Sequence, residues 1–167
     1  ATRRRVNGII TLLTDFGTRD GYAAAMIGVI LRDFLAARVA DLTHDVPPQD
    51  IVAGDFALAQ AAPWFPPGTV HVGVVDPGVG TSRKVIVVEH GGSLYLAPDN
   101  GLLSLLPRDA SAPGTARSAH VIDRLPSDWP IHATFHGRDL FARVAAHLAS
   151  GGSLDALSAS RVEPLEL

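Results

Sequence analysis

The chain has no cysteine among its 167 residues. That excludes a disulfide framework and thiolate chemistry, and it points to a reducing, cytoplasmic setting. Lysine is nearly absent, Lys84 being the only one. No apolar run approaches the roughly 20 residues of a membrane-spanning helix, and the start of the sequence lacks the apolar core of a secretory signal, so no membrane partner is expected. Excess charge is lacking too. The formal net charge is -3, and the one basic run, Arg3–Arg5, reads as a solvated terminus, so nothing invites nucleic acid. What remains is 47% hydrophobic and 19% charged, a globular composition long enough for one domain with a self-sufficient core.

Apolar runs alternate with stretches of helical period, which predicts an α/β domain with a mostly parallel central sheet flanked by helices. The run Gly8–Thr14 is β-branched and leucine-rich, as in a strand covered on both faces. Tyr22, Met26, Ile30 and Phe34 then recur four apart, as on one face of a helix. A second strand is read in "ARVADL" and a helix after Asp50, its expected N-cap. Thr69–Val75 is the third strand. Gly91-Gly92 sits between two apolar runs, the signature of a tight hairpin. "NGLLSLL" is expected to be helical, Pro107–Ser118 a polar loop and "AHVID" the last strand. An amphipathic helix after Gly137, with Leu140, Phe141, Val144, Ala145 and Leu148 on its apolar face, ends at Gly151. "RVEPLEL" reads as extended, with no obvious partner.

Five polar, glycine-rich clusters follow the strand-like runs: "TDFGTRDG", "THDVPPQD", "VDPGVGTSR", "APDNG" and "TFHGRD". Open parallel sheets bind ligands outside the carboxyl ends of their strands, so five such clusters suggest a site, although each alone is ordinary turn chemistry. The "DFG" at Asp15 is not a kinase magnesium site, because no glycine loop, strand lysine or H-R-D loop precedes it. Asp76–Lys84 lacks the G-K-[ST] of a phosphate loop. His132 and His136 stand four apart, but the residues between them suit a strand or loop and no third ligand offers itself, so no metal is expected. On physics alone Asp76 is a turn starter or a site carboxylate, Arg83 a surface or a site cation, and His136 a core or a site histidine.

The stretches "LLTDFGTRDGY", "DLTHDVPPQDI", "FPPGTVHVGVVDPGVGTSR", "LAPDNGLL" and "TFHGRDLFARVAAHLA" together resemble the S-adenosylmethionine hydroxide adenosyltransferase family, relatives of the fluorinase and chlorinase, in the family's order and over nearly the whole chain. The resemblance implies cleavage of S-adenosylmethionine by water into adenosine and methionine, with the substrate as the only small molecule and no cofactor. It places a catalytic trio on Asp76, Arg83 and His136. Substrate contacts fall on Asp15 (the ribose hydroxyls), on Asp20, Gly21 and Tyr22, on Gln49 beside the sugar, and on Gly137 near the reacting carbon. It implies an active site shared between subunits of a homotrimer. Residues 1–160 are then the catalytic N-terminal domain, and 161–167 begin a linker to a β-rich C-terminal domain.

Where the fluorinase carries tyrosine and serine for its halide, this sequence has Asp76 and Gly137, which favours the water-using branch. A binding module without turnover and a halide-using transferase are the alternatives. With Arg83 holding Asp76 ionised, His136 is the expected proton acceptor near neutrality.

Overall fold

The computed structural model describes residues 5–106 and 118–167. Seven strands form one sheet: β1 (Ile9–Thr14), β2 (Arg38–Thr43), β3 (Val70–Val74), β4 (Val85–His90), β5 (Ser93–Pro98), β6 (Ala119–Val121) and β7 (Ser160–Val162), in the spatial order β2-β1-β3-β5-β4-β6-β7. Pairings β1–β2, β1–β3 and β3–β5 are parallel, and β5–β4, β4–β6 and β6–β7 antiparallel. Five strands therefore point one way, β4 and β7 the other. The expected α/β architecture is present.

Each face of the sheet is covered. Ile10, Leu12, Val70, Val72 and Val74 pack with Met26 and Ile30 of α1 (Tyr22–Asp33) and with Val144 and Leu148 of α3 (Ala142–Ala149). Leu13, Val75, Ile86 and Val88 face the other way, towards Leu58 of α2 (Ile51–Ala61) and Leu102, Leu103 and Leu106. This is the period of two expected for strands that bury both sides. Phe141 is fully buried where α3 begins, and its truncation to alanine is expected to cost about 3–5 kcal/mol. Asp50 caps α2 as expected, its side chain accepting from Ala53 N–H at 2.9 Å. Gly91 and Gly92 make the hairpin turn with φ of 57° and 80°, torsions open to glycine.

Several sequence expectations change. Tyr22 begins α1 but is 43% exposed, and Phe34, just past the helix end, is half-buried against the same core, so only Met26 and Ile30 of that row are fully buried. Residues 101–106 form turns instead of a helix. Gly101 has φ 94°, and the N–H of Leu105 donates to the Asp55 carboxylate (3.0 and 3.2 Å) instead of continuing a helical ladder. The helix expected from Gly137 opens with a π-helical turn, Gly137–Phe141, before α3. β6 is not the last strand. The extended end finds a partner in it, with Ser160 opposite Val121, and continues to N–H donations from Leu165 to Asp99 Oδ1 (2.8 Å) and from Leu167 to Ser104 Oγ (3.0 Å). The loop expected over Pro107–Ser118, save Ser118, and the basic residues Arg3 and Arg4 lie outside the described residues. Among the described residues no helix is long and apolar enough to cross a membrane.

Candidate active site

The chain leaves β1 for β2 on one side and then crosses to β3 on the other, so β1 and β3 are the point where the winding reverses. At such a point two loops diverge and leave a crevice at the carboxyl ends. Asp15 follows β1 and Asp76 follows β3 by one residue, and the register pairs Thr14 with Val74, which brings the two aspartates out at the same edge. Gln49 lies on the loop after β2, the other neighbour of β1.

Asp76, Arg83 and His136 meet there although 53 residues separate the last two. Arg83 Nε donates to both Asp76 oxygens at 3.0 Å and Nη2 to Oδ2 at 2.5 Å. The same Nη2 donates to His136 Nδ1 at 2.7 Å. Tight turns bend the chain back between Asp76 and Arg83: Val79 N–H reaches Asp76 O, Thr81 N–H and Oγ1–H reach Gly78 O, and Arg83 N–H reaches Thr81 Oγ1. The carboxylate and guanidinium are only 5% and 11% exposed, so the pair is largely removed from water, and the guanidinium also lies over the Phe141 ring. A buried pair of this kind tolerates no missing partner.

A guanidinium has donors only, so His136 Nδ1 must be the acceptor, and the neutral ring carries its proton on Nε2. Burial, and then the Arg83 charge, hold the His136 pKa below its ordinary value, against the opposing pull of Asp76 and Asp139. This alters the role expected of His136. Its basic nitrogen is already engaged, and what it offers outward is an N–H.

Asp15 Oδ2 accepts the N–H of Gln49 at 2.7 Å. Gln49 is the sole non-glycine with positive φ (63°) among the described residues, a strained torsion of the kind that collects at functional sites. Among the described residues no partner meets the other Asp15 oxygen. Gly21 is the first residue before α1, its carbonyl accepting from Ala25 N–H. Asp20, Tyr22 and Gly137 line one cleft of about 530 Å³, together with Phe16, Thr134, Phe135 and Arg138. A Cβ on Gly137 would come 2.9 Å from Phe16 Cζ, so the absence of a side chain at 137 preserves this wall.

Sequence reasoning missed several contributors. Asn100, in the sequence no more than part of a polar cluster, donates its Nδ2–H to Val75 O at 2.8 Å and so fixes the strand end that carries Asp76. Phe135, which stacks on Tyr22 (centroids 5.5 Å apart, 20° between planes), sits inside the motif that supplied His136 and Gly137. Its pattern singled out polar residues and passed over the aromatic one.

A family model, the SAM hydroxide adenosyltransferase N-terminal domain, matches residues 10–158. Over 161 residues the chain is 46% identical to the (R)-S-adenosyl-L-methionine hydrolase of Salinispora tropica, covering 95% of this chain and 59% of that protein. It is 25% identical to a fluorinase of an Actinoplanes species over 89% of this chain and 57% of that one. A crystal structure of a conserved protein from Thermotoga maritima superposes with a TM-score of 0.83 at 37% identity, covering 95% of this chain and 60% of that one. The chain thus spans about three-fifths of the length of these relatives.

Proposed function

Since the chain belongs to the S-adenosylmethionine hydroxide adenosyltransferase family as its N-terminal domain, we propose that it carries the catalytic residues of an enzyme that hydrolyses S-adenosyl-L-methionine to adenosine and L-methionine. The observation that carries this reading is the Arg83 guanidinium bound at once to Asp76 and to His136 Nδ1. The relative's name specifies the R form. Since L already defines the α-carbon, R describes the sulfonium sulfur, and that epimer is the proposed substrate.

The water oxygen attacks ribose C5′ as the C5′–S bond breaks, and the bonding pair leaves on sulfur. Methionine departs as a neutral thioether and needs no general acid. Asp76 accepts a proton from the attacking water, while Nε2–H of His136 donates to its oxygen and fixes the direction of its free lone pair. Arg83 holds both in register. Asp15 accepts from the ribose 2′ and 3′ hydroxyls, with Gln49 beside the sugar. Positioning of this kind can supply roughly 7–11 kcal/mol of the barrier, against the ~10²–10⁴-fold of a general base, so orientation is the larger part. An anionic Asp76 also repels a halide ion while it accepts from water, which sets this site apart from a halogenase. With the reading go a homotrimer whose neighbouring subunit completes the site, a linker to a further domain that begins beyond β7 instead of at residue 161, and a cytoplasmic location; the family resemblance and the absence of cysteine support these.

The test uses the complete protein, S-adenosylmethionine containing both sulfur epimers, and heavy-oxygen water with and without halide. Adenosine labelled in its 5′ hydroxyl, formed from the R epimer, is expected. A halogenated nucleoside, or label in another product, would overturn the reading.

A further inference from the structure

Asp139 does not line the cleft, yet every part of one cleft wall leads back to it. Its side chain is buried, the residue being 7% exposed. Oδ1 accepts Arg138 Nε at 2.6 Å, and Oδ2 accepts Arg138 Nη2 at 3.2 Å and the N–H of His132 at 2.9 Å. The N–H of Asp139 donates to Phe135 O at 2.8 Å, and that of Phe135 to His132 O at 3.2 Å. One carboxylate thus closes residues 132–139 on themselves. The guanidinium it grips lies 4.8 Å above the Phe135 ring, which stacks on Tyr22, which in turn meets Phe16 edge-on at 6.1 Å. Phe16, Tyr22, Phe135 and Arg138 all line the cleft. The Arg138 hydrogen bonds and the His132 N–H keep the Asp139 carboxyl below the usual carboxylate range, so the clamp stays ionised at neutral pH.

His136 lies within the same segment but has its own tether, the 2.7 Å bond from Arg83, which is anchored in turn on Asp76. The wall and the catalytic trio are therefore tethered by separate side-chain contacts, although the Asp139 charge is also felt at His136.

Resting on the function proposed above, we propose that Asp139 is a positioning residue: it sets the Arg138–Phe135–Tyr22 stack, and through that stack the affinity for S-adenosylmethionine, while leaving the bond-breaking step to the trio. The clamp works through two distinct contacts. The His132 N–H needs only an oxygen acceptor, which asparagine supplies. The Arg138 fork needs both oxygens and the charge, which only aspartate supplies at this length.

The test compares Asp139→Ala, Asp139→Asn and Phe135→Leu in the complete protein. Asp139→Ala is expected to raise KM roughly tenfold or more, the equivalent of a lost hydrogen bond to a charged group, and to match Phe135→Leu. kcat is expected to stay within about threefold, since no contact made by the trio is removed. Asp139→Asn is expected to fall between alanine and the native residue. Adding Arg138→Gln to Asp139→Ala is expected to change nothing further, because the two act as one unit. A fall in kcat with unchanged KM, or a lower melting temperature with both constants unchanged, would overturn the proposal. A second readout needs no turnover: proton contacts between the Phe135 and Tyr22 rings, seen by nuclear Overhauser spectroscopy, are expected in the native protein and Asp139→Asn and lost in Asp139→Ala. Their survival in Asp139→Ala would overturn the proposal whatever the activity, whereas a native protein that shows the contacts but does not bind S-adenosylmethionine would count against the function alone.

Discussion

Two histidines, one in β3 and one near the carboxylate that follows it, each sit on a 2.7 Å bond and use it oppositely. Near the amino end His71 is 1% exposed, faces Thr11 Oγ1 through Nδ1, and lies between the rings of Tyr95 and Phe65. Its register partners across the sheet are Thr11 and Tyr95, so it is a satisfied polar group inside a packed layer. Beyond the carboxyl end, His136 takes its bond from Arg83, which is shared with Asp76. A hydroxyl can donate or accept and leaves the tautomer of His71 open; a guanidinium only donates and fixes that of His136. Burial of a histidine is therefore no sign of function. A cation bound to the ring nitrogen, with a carboxylate behind it, is a far more specific arrangement.

The sharpest way to break the contrast is Arg83→Ala. It strands the buried Asp76 carboxylate and frees His136, so a stability loss of about 3–5 kcal/mol is expected by denaturant titration. Adenosine release is expected to fall by at least ~10²–10⁴-fold.

Acid distinguishes the two histidines next. Burial lowers the His71 pKa from 6.5 to about 4. A depressed histidine value stabilises the fold above pH 6.5, and that contribution is lost as pH falls towards 4, roughly 3 kcal/mol in full. Urea unfolding at stepped pH should show this slope, and His71→Phe should flatten it. His136 is also lowered, by burial first and by Arg83 second. Protonation of Nδ1 would set a donor against a donor, so activity is expected to hold as pH drops through 6.5 and to fail only below it. A rate that halves at the ordinary histidine value would contradict this.

The smallest expected effect lies at the neighbouring strand end. Gln49→Gly keeps the N–H that Asp15 accepts and removes the strain of φ 63°, which should raise stability by about 1 kcal/mol. Affinity for the ribose is expected to weaken with the loss of the glutamine side chain, and adenosine binding by calorimetry reads this directly.

Local patterning along the chain sets the layers and points to the position of the candidate site. Period-two alternation, the Asp50 cap and the Gly91-Gly92 turn are local, and local patterns need only near neighbours to be read. The family motifs likewise named Asp76, Arg83 and His136, because the order of motifs is a linear property. What those residues touch depends on the fold. Which nitrogen of His136 is free depends on Arg83, 53 residues away, and the Asp139 clamp acts through rings contributed by α1 and by the turn before α3. Residues 101–106 form turns because Asp55, 50 residues distant, takes the Leu105 N–H, and β7 exists because β6 offers it an edge. Hydrogen-bond partners and desolvation are settled by what folding brings alongside, and no spacing along the chain records that.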